Sequence, residues 1–249
     1  MSARGPDTTP TGRARTLAAA AIRRPPSRGA ERTAAKTGAP RGGVRGTQRM
    51  RLLAAAVGIV AERGYAQLTV TRAVARAGVS RETFYELFAD REELFLAAFD
   101  DAVARIGAAL ERECAGEAAW QERVRAGLET VLVVLDEQPG LARLCVVEAP
   151  RAGARVLQRR AEILDGLAQI VEQGRTGGRG NGPPPLTAHS LVAGAASVVQ
   201  QRLLTPAAGP LAELAGPLAS MIVFPYRGPT AATRQLERPA RKLERPVKL

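Results

Sequence analysis

Between residues 47 and 226 apolar side chains recur at spacings of three and four rather than alternating, the period of helices with one buried face. Leu53, Val57, Val60 and Ala61 form one such stripe, closed by Gly64 at an expected helix end. Phe95, Ala98, Ala102, Ile106 and Leu110 form a longer one. Val124, Leu128, Val131, Leu132 and Leu135 make a third, stopped by Pro139-Gly140, and Val156, Ile163, Leu167 and Ile170 resume the pattern after Pro150. A stretch with five glycines and three prolines from Gly174 to Pro185 predicts a loop. The last two stripes are Leu191, Ala195, Val198 and Val199, then Leu211, Leu214, Leu218, Met221 and Ile222, where Pro217 is expected to kink or split the helix. No segment alternates as a strand would. The predicted fold class is all-α.

The segment 69–95 carries the most chemistry. A short helix over residues 70–77, with Thr69 as its cap, meets Gly78-Val79-Ser80. Gly78 can end a helix in the left-handed conformation, Val79 is placed to plug the angle between two helices, and Ser80 can cap the next. That next helix, residues 81–88, turns Arg81, Glu82, Thr83 and Tyr85 outward and Phe84 with Leu87 or Phe88 inward. Asp90 and Glu93 have the spacing of a capping box at the start of a long helix. This is the layout of a helix-turn-helix, whose second helix enters the major groove N-terminus first. The hydroxyls of Thr71, Ser80 and Thr83, the guanidinium groups of Arg72, Arg81 and Arg91, the Glu82 carboxylate and the Tyr85 phenol are candidates for contact with bases or phosphates. Charge runs the same way: residues 49–81 hold six arginines against Glu62, or +5, whereas residues 82–101 hold seven acids against Arg91, or −6.

These residues resemble a known family. Ala77-Gly78-Val79-Ser80-Arg81-Glu82-Thr83-Phe84-Tyr85-Glu86-Leu87-Phe88, followed by Asp90-Arg91-Glu92-Glu93-Leu94, is similar to the N-terminal domain of TetR-family transcriptional regulators. Arg91 stands where the family usually has lysine, which keeps the charge, and Leu87 stands where it often has histidine or tyrosine, which removes a phosphate contact. The resemblance, over residues 46–106, implies a first helix at 48–63 and a dimer built from two C-terminal helices per subunit, here 187–204 and 211–223. Small residues Ala193 to Ser197 suit close helix approach. It further implies a small-molecule effector of unknown identity and a near-palindromic double-stranded DNA operator with half-sites about 34–36 Å apart. The expected organisation is a basic disordered tail (1–46), the helix-turn-helix domain (47–106), a helical ligand-binding and dimerisation domain (107–226) and a basic tail (227–249).

Composition locates the charge and excludes other classes. The net charge of +12 divides into +8 over residues 1–46, +5 over residues 227–249 and −1 for the rest. The first tail, with Pro25-Pro26 and Arg41-Gly42-Gly43, is expected to be disordered. Its six-residue apolar run Leu17 to Ile22 precedes Arg23-Arg24, the wrong order for a secretory signal, so a cytoplasmic location is expected. The second tail repeats Leu236-Glu237-Arg238-Pro239 as Leu243-Glu244-Arg245-Pro246, whose prolines predict an extended segment. The chain has no run of about 18 apolar residues for a membrane span. With one histidine (His189), no glycine-rich phosphate loop and no clustered ligands, neither an enzyme nor a metal or cofactor site is expected. Trp120, Cys145 and Glu148 are candidates for an effector pocket, beside plainer roles as packed, inert or solvent-facing residues. The competing function is an architectural, non-specific nucleic-acid binder working through the basic tails, which requires a steep salt dependence and little sequence preference.

Overall fold

The computed structural model describes residues 41–114, 119–176, 182–205 and 209–239. The first tail up to residue 40 and the second copy of the C-terminal repeat lie outside the described residues. The described chain is helical, in the order α1 (Arg41–Arg63), α2 (Val70–Ala77), α3 (Arg81–Leu87), α4 (Arg91–Glu113), α5 (Trp120–Glu137), α6 (Pro139–Ala142), α7 (Ala154–Glu172), α8 (Thr187–Leu204) and α9 (Ala215–Glu237). A π-turn, Arg143–Glu148, follows α6, and short 3-10 turns stand at Tyr65–Gln67, Ala149–Arg151, Gln173–Arg175 and Leu211–Leu214.

Three apolar clusters hold the helices. The first joins Leu52, Ala56, Val60, Leu68, Phe84, Phe88, Leu94 and Phe95 to Leu144, Ala149 and Val156. It therefore packs α1 to α4 against residues 144–156, beyond the expected domain boundary at 106. The second, around Leu132, Leu141, Val199, Leu211 and Leu218, and the third, around Trp120, Val171, Val192, Ile222 and Tyr226, fill the C-terminal part. Asp136, in the last turn of α5, accepts the Leu211 and Ala212 N–H groups, each at 2.8 Å, which pins the 3-10 turn ahead of α9.

The ends of the fold depart from the sequence reading. Helix α1 begins at Arg41 rather than near residue 48, inside the segment expected to be disordered. Pro217 does not kink α9: it lies in the first turn, where a missing N–H has no partner to lose. The break comes instead at Gly228, φ 78° and ψ −178°, between Pro225 and Pro229. After it the chain resumes as helix to Glu237 rather than running extended from residue 227. It also folds back, because a Cβ on Gly216 would lie 3.2 Å from the Gln235 carbonyl oxygen, whereas 19 residues of straight helix span about 28 Å. Buried Arg125, paired to Glu129 at 2.8 Å, donates to the carbonyl oxygens of Gln235 and of Arg238 (2.7 Å), satisfying the helix end. No helix among the described residues is long and apolar enough to cross a membrane.

Candidate nucleic-acid interface

The turn between α2 and α3 is fixed by local chemistry. Thr69 Oγ1 accepts the Arg72 N–H at 3.2 Å and starts α2; Gly78 ends it in the left-handed region at φ 62°. Ser80 Oγ accepts the Thr83 N–H at 3.0 Å and starts α3, while Phe84 and Phe88 anchor α3 in the first core. Asp90 Oδ1 accepts the Glu93 N–H at 2.7 Å, and Glu93 Oε2 returns to the Ala89 N–H at 2.7 Å, one residue earlier than in the usual reciprocal box.

Arg81, Glu82, Tyr85 and Glu86 consequently share the exposed face of α3. Tyr85 is 58% exposed, its ring held edge-on by Phe84 at 5.4 Å between centroids. Arg81 Nη2 donates to Thr71 Oγ1 at 3.0 Å, tying α3 to the start of α2, and Ser80 and Thr83 share a hydroxyl contact of 2.9 Å. Arg72 donates to the Gln67 carbonyl at 3.2 Å. Arg91 stands over the Tyr65 ring at 5.0 Å, a cation–π contact that leaves the guanidinium exposed. Of the eight residues singled out in the sequence, Thr71 and Arg72 stand on α2, Ser80 caps α3, Arg81, Glu82, Thr83 and Tyr85 stand on α3, and Arg91 opens α4. Arg76 is removed from the free positive charge, since it forks onto Glu62 at 2.6 and 2.8 Å and this hydrogen-bonded pairing lowers the Glu62 pKa.

Remote residues tie this unit to the C-terminal part: Glu148, singled out in the sequence for an effector pocket, and Arg155 and Arg159, which the sequence reading missed. Glu148, 8% exposed at the end of the π-turn, accepts the Tyr65 N–H at 3.0 Å and pairs with Arg143 at 3.4 Å. Arg155 reaches Asp90 at 2.7 Å and Glu92 at 3.3 Å, and Arg159 reaches Asp100 at 2.8 Å. Desolvation pushes the Asp90 carboxyl up, but the Glu93 N–H and the Arg155 guanidinium together outweigh it and hold the group below its ordinary range.

The three expected pocket residues do not come together. Trp120 belongs to the third cluster, its Nε1–H donating to the Ile170 carbonyl at 3.2 Å and its ring 5.1 Å from that of Tyr226. Cys145 packs between the first and second clusters, where burial pushes its thiol up to about 12. Glu148 is occupied at the junction with Tyr65. A cavity of about 260 Å³ lies elsewhere, lined by Gln121, Glu122, Ala231, Arg234, Gln235 and Arg238. Among the described residues no group of three or more His, Cys, Asp or Glu side chains could hold a metal ion.

Comparison with known proteins bears on the same region. Residues 52–98 match the family model of bacterial regulatory proteins, tetR family. Over 123 residues the chain is 26% identical to the fatty acid metabolism regulator protein of Bacillus subtilis (strain 168), covering 49% of this chain and 63% of that protein. The chain thus spans somewhat less than two thirds of that relative's length. Among solved structures, the regulator FadR from Bacillus subtilis in complex with stearoyl-CoA superposes with TM-score 0.61 at 23% identity, covering 70% of this chain and 97% of that one. SmeT, the repressor of the Stenotrophomonas maltophilia multidrug efflux pump SmeDEF, gives 0.60 at 22% identity, covering 72% and 89%. At these identities the structural likeness establishes the all-α fold.

Proposed function

We propose, from the match of residues 52–98 to the tetR family of bacterial regulatory proteins, that the chain is a sequence-specific transcriptional repressor of that family, released from its operator by a small molecule. It is a regulator, not an enzyme. The observation that carries the reading is α3: seven residues capped by Ser80, anchored by Phe84 and tied to α2 through Arg81 and Thr71, with Arg81, Glu82 and Tyr85 exposed along one side. Arg81 and Thr83 read base edges, and Thr71, Arg72, Ser80, Tyr85 and Arg91 position the helix on phosphates. Glu82 offers an acceptor to a cytosine amino group.

One such helix covers a few base pairs, so the working unit is a homodimer on a near-palindrome in the cytoplasm. The face for it is the outer side of α8 with α9, where Val198, Leu204 and Phe224 are exposed and a Cβ on Gly194 would meet nothing within 4 Å. The effector binds among the C-terminal helices. The likeness to a FadR crystallised with stearoyl-CoA points to an acyl thioester, and the aliphatic second cluster around Leu132, Leu141, Val199 and Leu218 has the character an acyl chain requires. Its binding free energy differs between two arrangements of the junction formed by Glu148, Arg155 and Arg159, and that difference moves α3.

The test is selection of genomic fragments on the purified protein at about 150 mM salt, where contacts to phosphate alone weaken. Enrichment of a near-palindrome that is lost in Arg81→Ala, and its release by stearoyl-CoA, are the expected results. Uniform retention of all DNA, insensitive to Arg81→Ala, would overturn the reading.

A further inference from the structure

We propose that the N-terminal turns of α1 form part of the DNA interface, with Arg45, steered by Glu86 of α3, contacting the phosphate backbone that flanks the half-site. The proposal rests on the reading of α3 as the DNA-contacting helix.

Burial along α1 starts at Leu52 and Leu53; residues 43–47 are exposed. A Cβ on Gly43 or Gly46 would meet nothing within 4 Å, so the core does not hold this stretch. Its composition does not favour a helix either, since each glycine costs about 1 kcal/mol relative to alanine in a helix interior. Thr47, which could cap a helix beginning there, instead donates its hydroxyl back to the Gly43 carbonyl at 3.0 Å and lets the helix run through. What anchors these turns is α3 and the residue after it. Arg45 Nη2 lies 3.1 Å from Glu86 Oε2, and the Arg49 guanidinium stands 5.8 Å from the centroid of the Phe88 ring. Arg45 and Arg49 are four residues apart, one above the other on the same side of α1.

The chemistry of that contact points outward. Glu86 shares the exposed face of α3 with Arg81, Glu82 and Tyr85, so its carboxylate would repel the phosphates that α3 must approach. Arg45 neutralises it while engaging one of five guanidinium N–H donors, leaving the others for a phosphate. The pair is open to solvent, with 55% and 47% of the side chains exposed, so it contributes little to stability. Its effect is to hold a cation beside the face that meets DNA, further along α1 than the globular core reaches.

Fluorescence anisotropy tests this with two duplexes, one carrying the selected operator with ten extra base pairs on each side and one trimmed to the half-sites. Each phosphate contact contributes about 0.9 to the slope of log affinity against log salt, and a dimer carries two copies of Arg45, so Arg45→Gln should lower the slope by about 1.8 and lose about 12-fold less affinity than wild type between 50 and 200 mM salt on the long duplex. On the trimmed duplex the two proteins should match, and the ratio of operator to scrambled-DNA affinity should be the same for both. Identical salt slopes on the long duplex would overturn the proposal. Arg81→Ala, run alongside, separates the two ideas: if it keeps the wild-type operator preference, the reading of α3 fails, and this proposal with it.

Discussion

Replacement of Glu148 probes the junction between the helix-turn-helix and the rest of the chain. The carboxylate is 8% exposed and accepts the Tyr65 N–H at 3.0 Å, at the start of the turn that leads from α1 into α2. Gly64 makes that approach possible: its φ is 78°, and a Cβ there would sit 3.2 Å from Glu148 Oε1. A charged hydrogen bond contributes about 1.5–3 kcal/mol, and the partly buried Tyr65 N–H loses its acceptor when the side chain is truncated. Glu148→Ala should therefore cost about 2–3 kcal/mol. For a chain of 249 residues each kcal/mol moves the midpoint by about 2–4 °C, which puts the loss at about 4–12 °C by thermal unfolding. Glu148→Gln keeps an acceptor and the volume but not the charge, so it should lose about half as much. A midpoint for Glu148→Ala within about 1 °C of wild type would refute the assignment, because only an exposed or redundant contact can be lost at so small a cost. A loss in Glu148→Gln as large as in Glu148→Ala would show instead that the charge itself, through Arg143, carries the effect.

Ser80→Ala removes the acceptor for the Thr83 N–H and should cost about 1 kcal/mol of stability in thermal unfolding, with Ser80→Asn, another good cap, restoring it. Asp90→Asn keeps the cap and removes the charge that faces Arg155. Because the native Asp90 carboxyl titrates below its ordinary value of 3.8, its contribution is present above that value and is lost as pH falls through the native one. The variant should thus trail wild type by less than about 1 kcal/mol at neutral pH, as befits a half-exposed pair, with the gap closing below pH 3.8. A gap that widens on acidification would reverse the sign and sink the pairing.

What the sequence made legible is what acts within a turn or two. Thr69, Gly78, Ser80 and Asp90 each do locally what their types favour, so α2, α3 and the start of α4 could be placed from caps and periodicity alone. The misplaced ends have longer-range causes. Glycines and arginines near residue 45 read as disorder, and the partners of the first turns of α1 are distant: Glu86, 41 residues from Arg45, and Phe88 beneath Arg49. The repeat beginning at Leu236 reads as an extended tail, yet its first residues, Leu236 and Glu237, continue α9, and Arg125, 110 residues from Gln235, donates to that residue's carbonyl. For Glu148 the only local sign was its place in an apolar run; its partner is 83 residues distant.

Charge shows the same division and says more about function. The excess of acids over residues 82–101 reads as the repelled side of a DNA-contacting domain. In the fold, Asp90, Glu92 and Asp100 are met by Arg155 and Arg159 from α7. Asp90, Glu92 and Asp100 thus form a docking edge for α7, while Arg81, before them, stays on the face that α3 exposes. A single reversal of sign along the chain therefore separates two surfaces: the exposed face of α3, proposed to meet DNA, and an edge that receives cations from α7. Replacing Arg155 or Arg159 weakens the second without touching Arg81 or Tyr85, so such variants should keep the wild-type salt dependence of operator binding while the release of DNA by stearoyl-CoA changes, and unchanged release would refute the link.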